Sequence, residues 1–219
     1  MQLKSLSIGY NSSAPIVTSI DAELLPATFT CLLGRNGTGK STLLLTLAGQ
    51  LAPLHGHIIY NNEEQHPALV LPKMPELTNT TVRELVAYGR LPYTGLFGKL
   101  NTSDYKATDA AIEQLGITAL ANKFVHQISD GERQKALIAR GLAQGSHTLL
   151  LDEPSAFLDY PSRRQLMEQL QQLAHTEGKT ILLSTHDVEL ASAYADKLWI
   201  IQRHQLIKKA PQDFHPEEL

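Results

Sequence analysis

"FTCLLGRNGTGKSTLLLTLAG", residues 29–49, decides the fold. Phe29 to Leu33 form a largely apolar run that ends at Gly34, the pattern of a strand buried on both faces. Thr42 to Ala48 then predict a helix. Between them, Gly34 to Thr42 match G-x-x-x-x-G-K-[ST] in the strand–turn–helix setting that the pattern requires. Gly37 and Gly39 let the backbone curl so that successive N–H groups point inward at phosphate oxygens. The helix N-terminus adds the positive end of its dipole. Lys40 supplies a point charge for the β- and γ-phosphates, and Ser41 a hydroxyl for Mg²⁺. The loop Gly34, Arg35, Asn36, Gly37, Thr38, Gly39, Lys40, Ser41 and Thr42 is therefore a candidate nucleotide site.

Strand and helix patterns alternate outward from this loop, which favours an α/β fold with a mainly parallel central sheet. "LKSLSI" and "IVTSIDAEL" alternate in character and predict an antiparallel N-terminal part. "GHIIY" and "ALVL" read as strands flanking the turn signal Asn61-Asn62. Thr81 and Glu84 have capping-box spacing ahead of "VRELVAYGR". A helix follows from Ser103 to Leu115, closed by Gly116. Residues 82–144 thus read as a helical lobe inserted in a core made of about 1–81 and 145–219. "TLLLDEP" and "TILLS" are buried strands, with a helix between them that admits Pro161 in its first turn. "DVELASAYAD" is a helix, and "KLWIIQ" with "LIKKA" predicts a closing hairpin.

The chain has 219 residues, 42% hydrophobic and 19% charged, so a buried core is expected. A formal charge of −3 leaves no basic excess of the kind nucleic-acid binding needs. The single cysteine, Cys31, excludes a disulfide framework and favours a reducing compartment. The first residues carry no secretory leader pattern, and "LLLTLAG" is too short to cross a bilayer. A membrane role must then come through a partner.

Two further sites stand at strand ends, where ligands gather in open α/β sheets. Asp152, after "TLLL", can hold Mg²⁺, and Glu153 can orient and deprotonate a water. His186, after "LLST", should reach the same edge and touch a γ-phosphate.

Five motifs in one order resemble the nucleotide-binding subunits of ABC transporters: "GRNGTGKST", "ISDGERQ", "TLLLDEP", "SAFLD" and "STHD". The resemblance implies ATP and Mg²⁺ at the loop, with Ser41 and Asp152 on the metal. It implies Glu153 and His186 in catalysis, adenine stacked on Tyr10, and Asp159 in the D-loop. It also implies a head-to-tail dimer, expected to be a homodimer, in which Ser129, Asp130, Gly131 and Glu132 face the ATP of the partner subunit. An integral membrane permease is the implied transport partner, which would place the chain at the cytoplasmic face of the cell membrane. "VRELVAYGRLPYTGLFGKL" resembles the lobe of subunits serving iron-siderophore, haem and cobalamin importers, where this segment lies near the permease. The alternative class is a soluble ABC ATPase in cytosolic assembly, such as iron–sulfur cluster scaffolding.

Two positions depart from the family pattern. Asp130 stands where the commonest signature has glycine. Its carboxylate is repelled by a γ-phosphate, so it should point away while the capping-box pair Ser129 and Glu132 shapes the turn. Lys73 occupies the usual glutamine position after "ALVLP", since Gln65 comes too early, and an ammonium has no lone pair for a cation. The connection before "ALVLP" is also short for the family. We expect Lys73→Gln to raise the ATPase rate or transport coupling without changing ATP affinity. An unchanged rate and unchanged transport would remove the metal argument.

Overall fold

The computed structural model describes residues 1–60, 66–72, 77–95 and 98–218. The strands and helices begin with β1 (Gln2–Ile8), β2 (Val17–Glu23), β3 (Phe29–Leu33), α1 (Lys40–Leu47), β4 (His55–Ile59) and β5 (Ala68–Val70). Next come α2 (Val82–Ala87), α3 (Thr102–Gln114), α4 (Asp130–Ala143) and β6 (Thr148–Asp152). The chain continues with α5 (Tyr160–Glu177), β7 (Thr180–Ser184), α6 (Val188–Tyr194), β8 (Lys197–Gln202) and β9 (Gln205–Lys209).

The residues divide into two compact units. The first comprises Met1–Pro72, His147–Ala156 and Arg163–Leu219. Its main sheet has the order β5-β6-β7-β3-β8-β9, parallel except for β9. All five residues of β3 and of β7 are buried, as strands covered on both faces must be. A second, antiparallel sheet has the order β2-β1-β4. Leu43, Leu44 and Leu47 of α1 join Leu150, Leu182 and Trp199 of the main sheet and Leu3, Leu6 and Ile8 of β1 in one core cluster. Each such leucine contributes about 1.5–3 kcal/mol through burial. Cys31 of β3 is fully buried, and burial pushes its thiol up and keeps it protonated.

One detail differs from the sequence reading. The helix α1 begins at Lys40, two residues before Thr42, because Gly39 at φ 107 takes the N-cap place that a side chain usually fills. The strands read in "GHIIY" and "ALVL" both form, as β4 and β5, and they enter different sheets. Asn61 and Asn62 lie outside the described residues. The terminal hairpin β8–β9 forms as read, and the apolar stripe Leu166, Leu170, Leu173 and Ala174 of α5 is buried with Met167.

The second unit comprises Lys73–Ser146 and Phe157–Ser162. Its helices are delimited by side-chain caps. Thr81 with Glu84 closes a capping box on α2, and Asn101 with Asp104 closes one on α3. A 3₁₀ segment, Tyr88–Tyr93, follows α2 and was not visible in the sequence pattern. It is fastened to the end of α4. Arg90 Nη1 donates to the Ala143 carbonyl at 2.9 Å, and Tyr93 OH to the Gln144 carbonyl at 2.6 Å. Arg90 Nε also pairs with Asp104 Oδ1 at 3.0 Å, and its guanidinium lies 4.2 Å from the Tyr93 ring centroid. The Asn101 N–H and then Arg90 hold the Asp104 carboxyl below the usual range.

Gly89 lets this segment approach α4, since a Cβ there would run into the Arg140 carbonyl oxygen. Gly89→Ala, ordinarily favourable in a helical segment, should therefore destabilise the protein by about 1–3 kcal/mol. Thermal unfolding checks this, and a variant at least as stable as the wild type contradicts it.

Candidate functional site: a phosphate loop facing two strand ends

The first unit builds its site from the ends of β3, β6 and β7. These strands are parallel neighbours, so their C-terminal ends open on one edge. From β3 the chain turns at Gly34 into the glycine loop. Gly37 has φ 80 and Gly39 φ 107, conformations that L side chains resist. At Gly39 a Cβ would also sit 2.6 Å from Ile16 Cγ2. No side chain caps α1, so no side-chain acceptor competes at its N-terminus. Thr38 Oγ1 donates to the Arg35 carbonyl at 2.9 Å and tightens the loop. Arg35, Asn36 and Ser41 are exposed, whereas Thr42 is buried.

Lys40 is only 5% exposed. Its ammonium donates to the Gly34 carbonyl at 2.7 Å and the Arg35 carbonyl at 3.3 Å. It also lies 3.5 Å from Glu153 Oε1. On the other side, His186 Nδ1 is 3.8 Å from Glu153 Oε2. Lys40, Glu153 and His186, read from three separate stretches of sequence, are thus neighbours. Glu153 holds a left-handed backbone at φ 43, uncommon for a residue with a Cβ.

Asp152 is buried at the end of β6, in register with Ser184 of β7. Ser184 Oγ donates to Asp152 Oδ1 at 2.7 Å and accepts from the Glu153 N–H at 2.9 Å. The sequence reading passed over Ser184, because its partners appear only once the register of β6 and β7 is known. Arg163 was missed too. It pairs with Asp187 at 3.0 Å, and Asp187 caps α6 immediately after His186. Tyr10 is 70% exposed in the connection after β1.

In the second unit, Ser129 is the N-cap of α4. Its hydroxyl accepts from the Glu132 N–H at 3.3 Å, while its own N–H and hydroxyl donate to Glu132 Oε2 at 2.8 and 2.9 Å. The Asp130 carboxylate bonds to Arg133 Nη1 at 3.1 Å. Gly131 makes no close approach, its nearest neighbour to a built Cβ being Leu158 at 3.6 Å. Asp159 Oδ1 accepts from the Ser162 N–H at 3.0 Å, in the manner of a cap on α5. Lys73, the departure at the usual glutamine position, lies outside the described residues.

The ABC transporter family model matches residues 17–156, more than half of the chain. The chain belongs to the ABC transporter family. It is similar to the achromobactin transport ATP-binding protein of Dickeya dadantii (strain 3937), 35% identical over 99% of this chain and 84% of that one. The ferric enterobactin transport ATP-binding protein of Escherichia coli (strain K12) is also 35% identical, over 99% and 83%. Among solved structures, an inward-facing ABC transporter of metal-chelate type superposes with a TM-score of 0.89 at 27% identity, covering 99% of this chain and 85% of the other. As an ABC ATPase subunit, the protein binds ATP and converts it with water to ADP and phosphate. No helix among the described residues is long and apolar enough to cross a membrane.

The cap of α4 contains a titratable carboxyl. Hydrogen bonds from the Ser129 N–H and hydroxyl hold the Glu132 carboxyl below its ordinary value of 4.5. A depressed carboxyl pKa stabilises the fold above the unfolded value and loses that contribution as pH falls through the folded one. Glu132→Gln keeps the cap geometry without titrating. Its unfolding temperature should fall less than that of the wild type as pH drops below about 4.5. Parallel acid profiles for the two proteins would contradict this origin.

Proposed function

We propose that the protein is the ATP-hydrolysing subunit of an importer for an iron complex, acting with a separate membrane permease at the cytoplasmic face of the membrane. The observation that carries the catalytic part is the placing of Glu153 between Lys40 at 3.5 Å and His186 at 3.8 Å, beside the glycine loop. In this reading the loop N–H groups and the α1 N-terminus bind the β- and γ-phosphates. Lys40 carries its charge to them, exchanging carbonyl partners for phosphate oxygens. Glu153 accepts a proton from the attacking water as its oxygen bonds to the γ-phosphorus, and the bond from that phosphorus to the β-bridging oxygen breaks to release ADP. His186 hydrogen-bonds the γ-phosphate oxygens and orients Glu153.

The donors suit Mg²⁺. Asp152 is a buried carboxylate held in place by Ser184, and Ser41 is an exposed hydroxyl at the start of α1. A hard cation of this size takes one or two carboxylates together with substrate phosphates. Asp152 and Ser41 would hold the ion, which would supply positive charge to offset that of the phosphates.

The signature Ser129, Asp130, Gly131 and Glu132 is assigned to the ATP of a second copy of the subunit. The ion pair between Asp130 and Arg133 supports this assignment, because it gives the carboxylate a cationic partner on its own helix. The iron-complex cargo rests on the achromobactin and ferric enterobactin relatives.

Glu153→Gln should lower the ATPase rate by at least about a hundredfold while ATP binding persists. Lys40→Ala should weaken ATP binding itself. Affinity purification from the native membrane should recover a multi-span permease. A wild type no faster than Glu153→Gln defeats the catalytic assignment, and recovery of a soluble scaffold complex alone defeats the importer.

A further inference from the structure

Ser184 is completely buried at the end of a strand whose neighbours Ile181, Leu182 and Leu183 are all core residues. A hydroxyl in that position is costly unless bonded, and both of its roles are filled by the acidic pair. Its one proton goes to Asp152 Oδ1 at 2.7 Å. A lone pair accepts the Glu153 N–H at 2.9 Å. The register makes this possible, since Ser184 stands opposite Asp152 on β6 and opposite Leu32 on β3, two residues before the carbonyl of Gly34 that holds Lys40. The Glu153 N–H belongs to the residue at φ 43, so the bond fixes the left-handed turn that aims its carboxylate.

We infer that Ser184 is a positioning residue for hydrolysis: its hydroxyl sets the orientation of the Asp152 carboxylate and locks the Glu153 turn. This rests on the ATPase reading above. An apolar residue of the same bulk would leave the Glu153 N–H without its acceptor and let Asp152 Oδ1 turn. Ser184 touches neither the nucleotide nor the reacting atoms in this account, so its loss acts through Asp152 and Glu153.

The test compares Ser184→Thr with Ser184→Val in the full chain. Both add the same bulk at a fully buried site, and only threonine keeps the hydroxyl. Threonine should retain kcat within about threefold, whereas valine should lose about ten- to a hundredfold in kcat, with KM for ATP rising no further than its lost Mg²⁺ gain in affinity. A second readout is independent of turnover: the gain in affinity of a fluorescent ATP analogue on adding Mg²⁺ should shrink in the valine variant and persist in the threonine variant. Affinity without Mg²⁺ should match the wild type in both. Ser184→Ala, which adds no bulk, should follow valine and covers the case in which either larger side chain prevents folding. Equal kcat and equal Mg²⁺ gain for the threonine and valine variants, or an alanine variant like the wild type, overturns the inference. A wild type that does not hydrolyse ATP would instead overturn the functional reading on which it rests.

Discussion

The site depends on the parallel register of β3, β7 and β6. The first two of these strands are buried along their whole length, so polar groups accumulate where they leave the sheet. Parallel pairing puts those exits on one edge. Leu32 faces Ser184, and Ser184 faces Asp152, across three adjacent strands. The glycine loop, His186 and Glu153 each begin within two residues of that row. A one-residue slip would turn every one of these side chains to the opposite face, and the apolar strand interiors prevent it. Packing therefore sets the distances from Glu153 to Lys40 and to His186.

This explains what was legible in advance. Continuous apolar runs ending at glycine, at the acidic pair and at Ser184-Thr185 marked β3, β6 and β7, and the lysine, the acidic pair and the histidine follow from those runs. Their convergence needed only the rule that parallel strands share an exit edge. The capping boxes of α2 and α4 were equally readable, because Thr81 with Glu84 and Ser129 with Glu132 are local pairs three residues apart.

What was hidden depends on long-range pairing. Ser184 reads as one more polar residue at a strand end until its partner on β6 is known, 32 positions away. Arg90 and Ala143 are separated by 53 positions, and the 3₁₀ segment that brings them together has no hydrophobic period to announce it. The start of α1 was misplaced for a local reason. A glycine N-cap has no side chain, so it lacks the usual sequence signal for a helix start.

The helix α4 shows how the second unit converts such pairings into rigidity. Its N-terminus is closed by Ser129 and Glu132, a carboxylate at the positive end of the dipole. At the other end, Arg90 and Tyr93 donate to the Ala143 and Gln144 carbonyls, a cation at the negative end. Helix ends fray first because their backbone groups lack intrahelical partners. Here both ends are satisfied by side chains from within the unit. Gly89 removes the bulk that would hold the 3₁₀ segment away, so Arg90 reaches the helix end without bending it. Fourteen residues, spanning about 21 Å, are thus fastened at both ends. Tyr88–Tyr93 and Ser129 are thereby held at opposite ends of one capped helix.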